Sequence, residues 1–189
     1  MKKHFLLIST LAALFVSCGD RNNDESISID KNTKFTIDSN LIPKPSDGVL
    51  ISVADFDKYL KNKYFLEQSD GRRIEQDGKL SDKLFWEDII GIGSDGYYFA
   101  DDSAFRYVLY IDYNPSIPYI KHGLAYIDGK AVVSYPRDVE MPDLKIVKAN
   151  DAGFTAIRLI GVKGDGRPSY IYSSYRKVSE SKFKKALEE

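Results

Sequence analysis

The sequence is poor in the residues that carry metal and nucleophilic chemistry. Its 189 residues include one cysteine, two histidines and one tryptophan. A single cysteine cannot form a disulfide within the chain, and so few histidines exclude a histidine-rich zinc site. The histidines are His4, in the N-terminal segment, and His122. The chain therefore offers little for metal catalysis or for a Cys–His nucleophile.

The chain also lacks an excess of charge of either sign. Lysine and arginine number 27 and aspartate and glutamate 28, for a net charge of −1. Nucleic-acid binding depends on a clustered basic surface, so this balance predicts no nucleic-acid partner. The 43% hydrophobic content, with thirteen tyrosines, excludes disorder along the whole chain, because disorder follows from low hydrophobicity and high net charge.

The N-terminus carries the most specific pattern in the chain. Residues 1–4 form a short basic head, and residues 5–16 are an almost unbroken apolar run. A run of about twelve residues is too short for a membrane-spanning helix, which takes about twenty. A basic head, a short apolar run and small residues before a cut site are typical of an export signal. We predict a signal peptide over residues 1–17.

The tetrapeptide Phe15-Val16-Ser17-Cys18, followed by Gly19, resembles the lipobox of bacterial lipoproteins. In that family the signal is cut before the cysteine, its thiol is diacylated and its new amino group is usually acylated. The resemblance implies lipidation at Cys18 and anchoring to the outer membrane of a Gram-negative cell envelope, on either the periplasmic or the surface face. Two or three acyl chains hold a protein stably at a membrane that it does not cross.

A tether and one domain follow the cysteine. Residues 19–34 are polar and contain no aromatic side chain, so they cannot bury enough apolar area to offset the entropy of ordering. We predict a lipidated cysteine with a flexible tether over residues 18–47, and a single β-rich domain over residues 48–189. Residues 34–37 also have the pattern of a short edge strand.

Two helices are predicted at the ends of this domain. Ser52 has the character of an N-cap, and the apolar residues of the next eight positions recur at helical spacing. A second amphipathic helix is predicted over residues 179–189, in which Phe183 and Leu187 lie four residues apart.

Between these helices the pattern favours β-strands. About eight runs of alternating or apolar residues are separated by turn residues, with Asp-Gly pairs at five of the breaks. The pair Asp128-Gly129 lies between two alternating runs and is the clearest hairpin signal. Strands joined by tight turns, with no intervening helix, predict an antiparallel meander.

We predict a mainly β fold in which this meander closes into a barrel, because closure removes exposed sheet edges. The order of tether, short helix, meander and C-terminal helix resembles lipocalin-like barrel lipoproteins. A cystatin- or NTF2-like α+β fold with a curved sheet is the alternative, followed by a β-sandwich.

His122 is the first candidate for a site residue. It alternates in phase with Ile120, Leu124 and Tyr126, which places it on the inner face of its strand. There it can act as a general base or as a polar contact in a cavity. The other interpretation is a hydrogen-bonded core histidine.

Tyrosines near the last strand are the second candidates. Tyr170 and Tyr172 are in phase with each other and with Ser174 and Arg176. Tyrosine offers an apolar ring with a polar tip, which suits a surface that binds a lipid, a sugar or a peptide. The high β propensity of aromatic residues explains the same pattern without a ligand.

The sequence contains no convincing catalytic constellation, metal site or cofactor motif, so we predict a protein that is not an enzyme. The expected function is a lipid-anchored binding module for an apolar or amphipathic ligand. Its expected partners are the membrane, through the anchor, and a small apolar ligand, a glycan or an envelope protein. The alternative is a tethered interaction, inhibitor or immunity-type protein that uses its outer surface. A cavity above about 300 Å³ favours the first hypothesis, and a filled core with an exposed apolar patch favours the second.

Overall fold

The computed structural model describes residues 26–37, 43–85, 94–109, 118, 120–127, 130–134 and 141–188. The predicted signal peptide and Cys18 lie outside these residues. The described helices and strands are β1 (Phe35–Thr36), β2 (Lys44–Pro45), α1 (Val53–Tyr59), β3 (Lys63–Glu67), β4 (Arg72–Arg73), β5 (Ser94–Phe99), β6 (Ser103–Leu109), β7 (Ile120–Ile127), β8 (Lys130–Ser134), β9 (Leu144–Ala149), β10 (Gly153–Val162), β11 (Pro168–Val178) and α2 (Glu180–Glu188).

Eight of these strands close into an antiparallel barrel. Their order is β10-β9-β8-β7-β6-β5-β3-β11, and β10 also pairs with β11, which completes the ring. The two-residue strand β4 pairs with β11 beside β3. Neighbours in the ring are almost all neighbours in sequence, so the architecture is the predicted meander. The prediction of a mainly β, lipocalin-like barrel with two helices is confirmed.

The predicted hairpin between β7 and β8 also agrees with the strand register. Ile127 pairs with Lys130, which leaves two residues for the connection, although Asp128 and Gly129 themselves lie outside the described residues. The longest hairpin joins β10 and β11, with Gly166 at φ +83° in its turn. A positive φ suits glycine because it has no Cβ to clash with the backbone.

Helix α1 begins where the sequence predicts. The Ser52 hydroxyl accepts a hydrogen bond from the Asp55 amide at 3.1 Å and donates one to the Asp55 carboxylate at 2.9 Å. The first bond is the N-cap bond expected of a serine at this position, and the second holds the Asp55 carboxylate beside the cap. The helix ends at Tyr59, and Asn62, with a φ of +57°, lies in the turn that leads into β3. Phe56 and Leu60 point from this short segment into the barrel core.

The barrel interior is filled largely by aromatic side chains. Phe65, Tyr97, Phe99, Phe154 and Tyr175 are each fully buried. They come from the inner face of four strands, because side chains alternate between the two faces of a strand. Several of their rings lie with centroids about 4.5–6 Å apart, at edge-to-face or stacked angles that aromatic pairs prefer.

A segment that precedes α1 covers one side of the barrel. We call residues 26–37 and 43–50 the strap; it contains the small β1–β2 hairpin. Phe35 is 4% exposed and its ring lies 5.2 Å from that of Tyr172, on the outer face of β11. The strap thus buries a second apolar cluster outside the barrel, which includes Val147 and Ile157.

The strap differs from the expected tether. The sequence predicts a flexible chain up to residue 47, whereas the described half of that range lies against the barrel from Ile27, which is 4% exposed. The predicted edge strand at residues 34–37 is present as β1, and it pairs with β2 rather than with the barrel. Scattered apolar residues in a polar segment carried too little signal to predict this contact.

Helix α2 confirms the second predicted helix. The Ser179 hydroxyl accepts a hydrogen bond from the Lys182 amide at 3.2 Å, which caps the first turn. Phe183 and Leu187 are buried against the outside of the barrel, as their spacing predicts. No helix in the described part of the chain has the length and apolar character needed to cross a bilayer.

Candidate functional site

The structure separates the residues that the sequence singled out. His122 lies on the inner face of β7 and is 1% exposed, as its phase predicts. Tyr126 belongs to the same strand and pairs with Ala131, but its side chain lies outside the described part. Leu124 packs against the inner core.

Tyr170 and Tyr172 lie on the outer face of β11, beneath the strap. They are 6% and 5% exposed, and the Tyr172 hydroxyl donates a hydrogen bond to Thr155 at 3.0 Å. Arg176 is half-buried further along the same strand and pairs with Gly153. The barrel wall therefore separates these three residues from His122. They do not form one site with it.

His122 belongs instead to an inner charge cluster that the sequence did not reveal. Its members come from β3, β5, β6, β7 and β10 and from the residue before β9, and none has more than 15% of its side chain exposed. The cluster consists of Glu67, Asp95, Arg106, His122, Asp143 and Arg158.

Arg158 lies between two of the carboxylates. One guanidinium nitrogen is 2.6 Å from Asp95 Oδ2, and the other is 3.4 Å from Glu67 Oε1. The Asp95 amide also donates a hydrogen bond to Glu67 Oε2 at 3.0 Å. These contacts join β3, β5 and β10, which are not all neighbours in the ring, so Arg158 bridges the interior.

Arg106 links this group to His122. Its guanidinium lies 3.1 Å from Asp95 Oδ2 and 3.6 Å from Asp143 Oδ2. The same oxygen of Asp143 lies 3.6 Å from His122 Nε2. Arg106 has 15% of its side chain exposed, the largest fraction in the cluster.

Burial is the main cause of the pKa shifts of His122, Glu67 and Asp143. Burial first, and the neighbouring Arg106 second, lower the pKa of His122 to about 4, so the imidazole is neutral at neutral pH. Burial also raises the pKa of Glu67 and of Asp143, against the attraction of the arginines. A raised pKa moves both carboxyl groups toward their neutral acids.

The chemistry of the cluster favours a structural role. A base with a pKa near 4 is weak at neutral pH, since an effective general base has a pKa near the operating pH. The carboxylates are already engaged by arginines. Among the described residues, His, Cys, Asp and Glu side chains nowhere form a group of three or more suited to holding a metal ion.

The sequence did contain a weak signal for this cluster. Arg106 is in phase with the buried Ala104, and Arg158 interrupts the apolar run of β10 in phase with Phe154 and Ala156. A charged residue at an inward position predicts a buried partner, because an unpaired buried charge is costly. The partners could not be identified, since they come from separate parts of the chain.

A second candidate site lies outside the barrel. An apolar cleft of about 440 Å³ separates α2 from the outer faces of β3, β5 and β6. It is lined by Tyr64, Tyr98, Phe105, Tyr107, Pro118, Phe183, Lys184, Leu187 and Glu188. We call it the outer cleft.

One wall of the outer cleft is a row of aromatic rings. Tyr64, Tyr98 and Phe105 are direct cross-strand partners on three adjacent strands. The Tyr64 and Tyr98 rings stack at 4.5 Å and 23°, and the Tyr98 and Phe105 rings at 6.1 Å and 24°. Lys121, the next partner along the row, lies over the Phe105 ring at 5.5 Å. Because the rings stack on one another, their edges rather than their faces are available to a ligand.

Gly96 allows α2 to form the other wall. A Cβ at this position would lie 2.8 Å from the Phe183 ring, closer than ordinary contact. The ring also meets Tyr107 edge-on at 5.2 Å, and Tyr107 pairs with Gly96. A residue without a side chain on the outer face of β5 thus seats the helix at the edge of the cleft.

A smaller cleft of about 270 Å³ lies where the strap meets the β10–β11 hairpin, and Tyr170, Ile37, Pro43 and Arg167 are among its lining residues. Arg167 is engaged by the Asp165 carboxylate at 2.8 Å through its Nε. This cleft is smaller and more polar than the outer cleft.

Comparison of the chain with family models, curated proteins and solved structures gave no match.

Proposed function

We propose that this protein is a non-catalytic binding module, held at the outer membrane by lipidated Cys18, that binds an apolar or amphipathic ligand in the outer cleft. The observation that carries the proposal is a 440 Å³ apolar cleft on the outside of a barrel whose described interior is filled by aromatic rings and paired charges.

The lining of the outer cleft suits an amphipathic molecule. Ring edges and the Leu187 side chain provide an apolar surface for a hydrocarbon chain. Tyrosine rings carry a hydroxyl at the end of an apolar body, and Lys184 and Glu188 add charges at the rim. A ligand with an apolar tail and a polar head satisfies both parts of this surface. The opposite charges at the rim do not select a charged head of one sign.

The size of the cleft is compatible with a small ligand. Pockets for small molecules usually range from about 300 to 1,000 Å³ and combine apolar walls with a few polar groups. The outer cleft lies within this range, and the cleft near Tyr170 lies just below it. We therefore assign binding to the outer cleft rather than to the site that the sequence suggested.

The test is a fluorescence titration of the mature chain with the amphipathic dye ANS, which is then displaced by dodecanoate or by dodecyl maltoside. Tyr98→Ser removes the middle ring of the row and is expected to weaken dye binding about tenfold, or about 1.4 kcal/mol. Tyr59→Ser is the matched control, because Tyr59 is half-buried against the inner core and does not line the cleft. Equal dye affinity in the two folded variants would contradict the proposal.

The filled interior, with an apolar surface outside it, meets the criterion given above for the second candidate, a tethered protein that binds a partner protein through this surface. The cleft volume above about 300 Å³ meets the criterion for the first. A protein that inserts an apolar side chain would use the same rings. The two candidates differ in the displacement step, because a site for small amphiphiles is emptied of dye by dodecanoate or dodecyl maltoside alone. Dye that stays bound in excess of both compounds favours the protein partner.

Anchoring is tested separately. Cys18→Ala should release the protein from the membrane fraction of a Gram-negative host, and radiolabelled palmitate should enter the unchanged protein only. Failure of the unchanged protein to incorporate palmitate would contradict the lipid anchor.

A further inference from the structure

The strap brings the N-terminal end of the described chain onto one side of the barrel. Ile27 is 4% exposed. Ile29, two residues later, packs against the apolar cluster that lies between the strap and the outer faces of β9, β10 and β11. The strap ends at residue 50. The next residue, Ile51, donates a backbone hydrogen bond to the carbonyl oxygen of Ile146 on β9. The chain is therefore fixed to the barrel about 24 residues before its first core residue.

We propose that the strap is a clamp that holds the β9–β11 side of the barrel next to the membrane surface. This inference rests on the proposed lipidation of Cys18. About nine residues separate Cys18 from Ile27, and a fully extended chain of that length reaches about 30 Å. Without the clamp, the free chain runs from Cys18 to Ile51, about 33 residues. The greatest distance that it can span between the anchor and the barrel then rises to about 110 Å.

Apolar contacts and one close backbone approach hold the clamp. The Phe35 amide donates a hydrogen bond to the Gly78 carbonyl at 2.8 Å. Gly78 has a φ of +80°, and a Cβ there would lie 2.0 Å from the Phe35 carbonyl oxygen. Any side chain at position 78 must displace the strap or its own turn. Phe35 itself supplies the ring that covers Tyr172.

The covalent tether sets this orientation in the proposal. The described strap exposes the lysines Lys31, Lys34 and Lys44 and the aspartates Asp30 and Asp47. Their charges nearly cancel, so the strap itself adds little attraction to anionic lipid. The surface that faces the bilayer is the one to which the strap attaches. In the barrel ring, β7 lies opposite β11 and consequently faces away from the membrane.

The experiment measures energy transfer from a dye on the lipidated full chain to acceptor-labelled lipids. The protein is reconstituted in vesicles of phosphatidylethanolamine and phosphatidylglycerol. Val162→Cys carries the dye at the end of β10, where the native side chain is 62% exposed. Lys121→Cys carries it on the exposed side of β7, opposite the strap. Lipidation consumes the thiol of Cys18, so each variant has one reactive cysteine.

We expect stronger transfer from position 162 than from position 121. Gly78→Ala and Phe35→Ser should each lower energy transfer from position 162 to roughly half or less, and should remove the difference between the two positions. The reason is that the greatest distance between the anchor and the barrel rises more than threefold. Gly166→Ala is the matched control: Gly166 also has a positive φ, of +83°, but a Cβ there meets no atom within 4 Å. This variant should keep the original transfer.

Each other outcome overturns the inference. Equal transfer from the two positions, or unchanged transfer in both strap variants with barrel circular dichroism retained, shows that the strap does not orient the barrel. If Gly166→Ala loses as much energy transfer as Gly78→Ala, the loss does not come from breaking the contact between the strap and the barrel. Protein that fails to float with the vesicles overturns the anchor and this inference together, whereas floating protein with unchanged transfer overturns the inference alone.

Discussion

The charge state of His122 gives the sharpest quantitative prediction. Its pKa is lowered to about 4 in the folded protein, from an ordinary value of about 6.5 in the unfolded chain. Between these values the unfolded chain binds a proton that the folded protein does not, so folding stability falls as the pH drops from 6.5 toward 4. The two pKa values give a loss of about 2 kcal/mol between pH 7 and pH 5.

The assay is urea unfolding of the unchanged protein and of His122→Gln at pH 7 and pH 5. Arg106, Asp95 and Asp143 are the charged groups that face the imidazole, and they remain in both proteins. The raised pKa values of Glu67 and Asp143 act in the opposite direction, since they favour the folded state as the pH falls, and they largely cancel in the comparison. The variant should therefore lose about 2 kcal/mol less than the unchanged protein. The same pH dependence in both proteins, or ring protons that titrate near 6.5 by NMR, would refute this account of His122.

Three further changes test the fold and the cleft. Arg158→Met should destabilise the barrel by about 3–5 kcal/mol in urea unfolding, since it leaves two buried carboxylates without their shared guanidinium, and adding Glu67→Gln should restore part of that loss. A cost below about 1 kcal/mol would show that the carboxylates are solvated after all. Ser52→Ala should cost about 1 kcal/mol through loss of the α1 cap, seen as a lower melting temperature; an unchanged melting temperature would mean that the cap contributes nothing. Gly96→Val should displace Phe183 and weaken ANS binding while the barrel circular dichroism is retained, whereas unchanged dye affinity would separate α2 from the cleft.

Much of the barrel could be predicted from the sequence because its signals are local. Alternation and Asp-Gly turns depend on neighbouring residues, and they placed the eight ring strands in meander order. One of the five predicted Asp-Gly breaks was wrong, because Asp95 and Gly96 lie within β5 and pair with β6. The capping of α1 by Ser52 was predictable for the same reason. Closure was predicted from the cost of exposed edges, and the pairing of β11 with both β3 and β10 confirms it.

It was harder to predict which face of each strand points into the barrel. In β6 the aromatic side chains Phe105 and Tyr107 alternate as a strand face should, yet they lie outside, under α2. The inner positions of the same strand hold Ala104 and Arg106. Both faces of this strand meet other parts of the protein, so alternation alone does not distinguish the core from a surface covered by a helix.

The candidate sites depended on contacts between distant segments. The charge cluster joins residues from position 67 to position 158, and no spacing in the sequence links them. The outer cleft exists because α2 returns to strands more than seventy residues earlier, over a glycine whose role is visible only in three dimensions. Tyr170 and Tyr172 were predicted to share a face, and they do, but the strap rather than a ligand covers most of that face.

NMR mapping of amphiphile binding tests the central claim most directly. Dodecanoate is titrated into the isotopically labelled mature chain, and the backbone amide shifts are followed. We expect the largest changes at Tyr64, Tyr98, Phe105, Tyr107 and Leu187, around the outer cleft. The largest changes at inward-facing residues such as those around His122, with the cleft unaffected, would contradict an outer binding site and place the ligand inside the barrel.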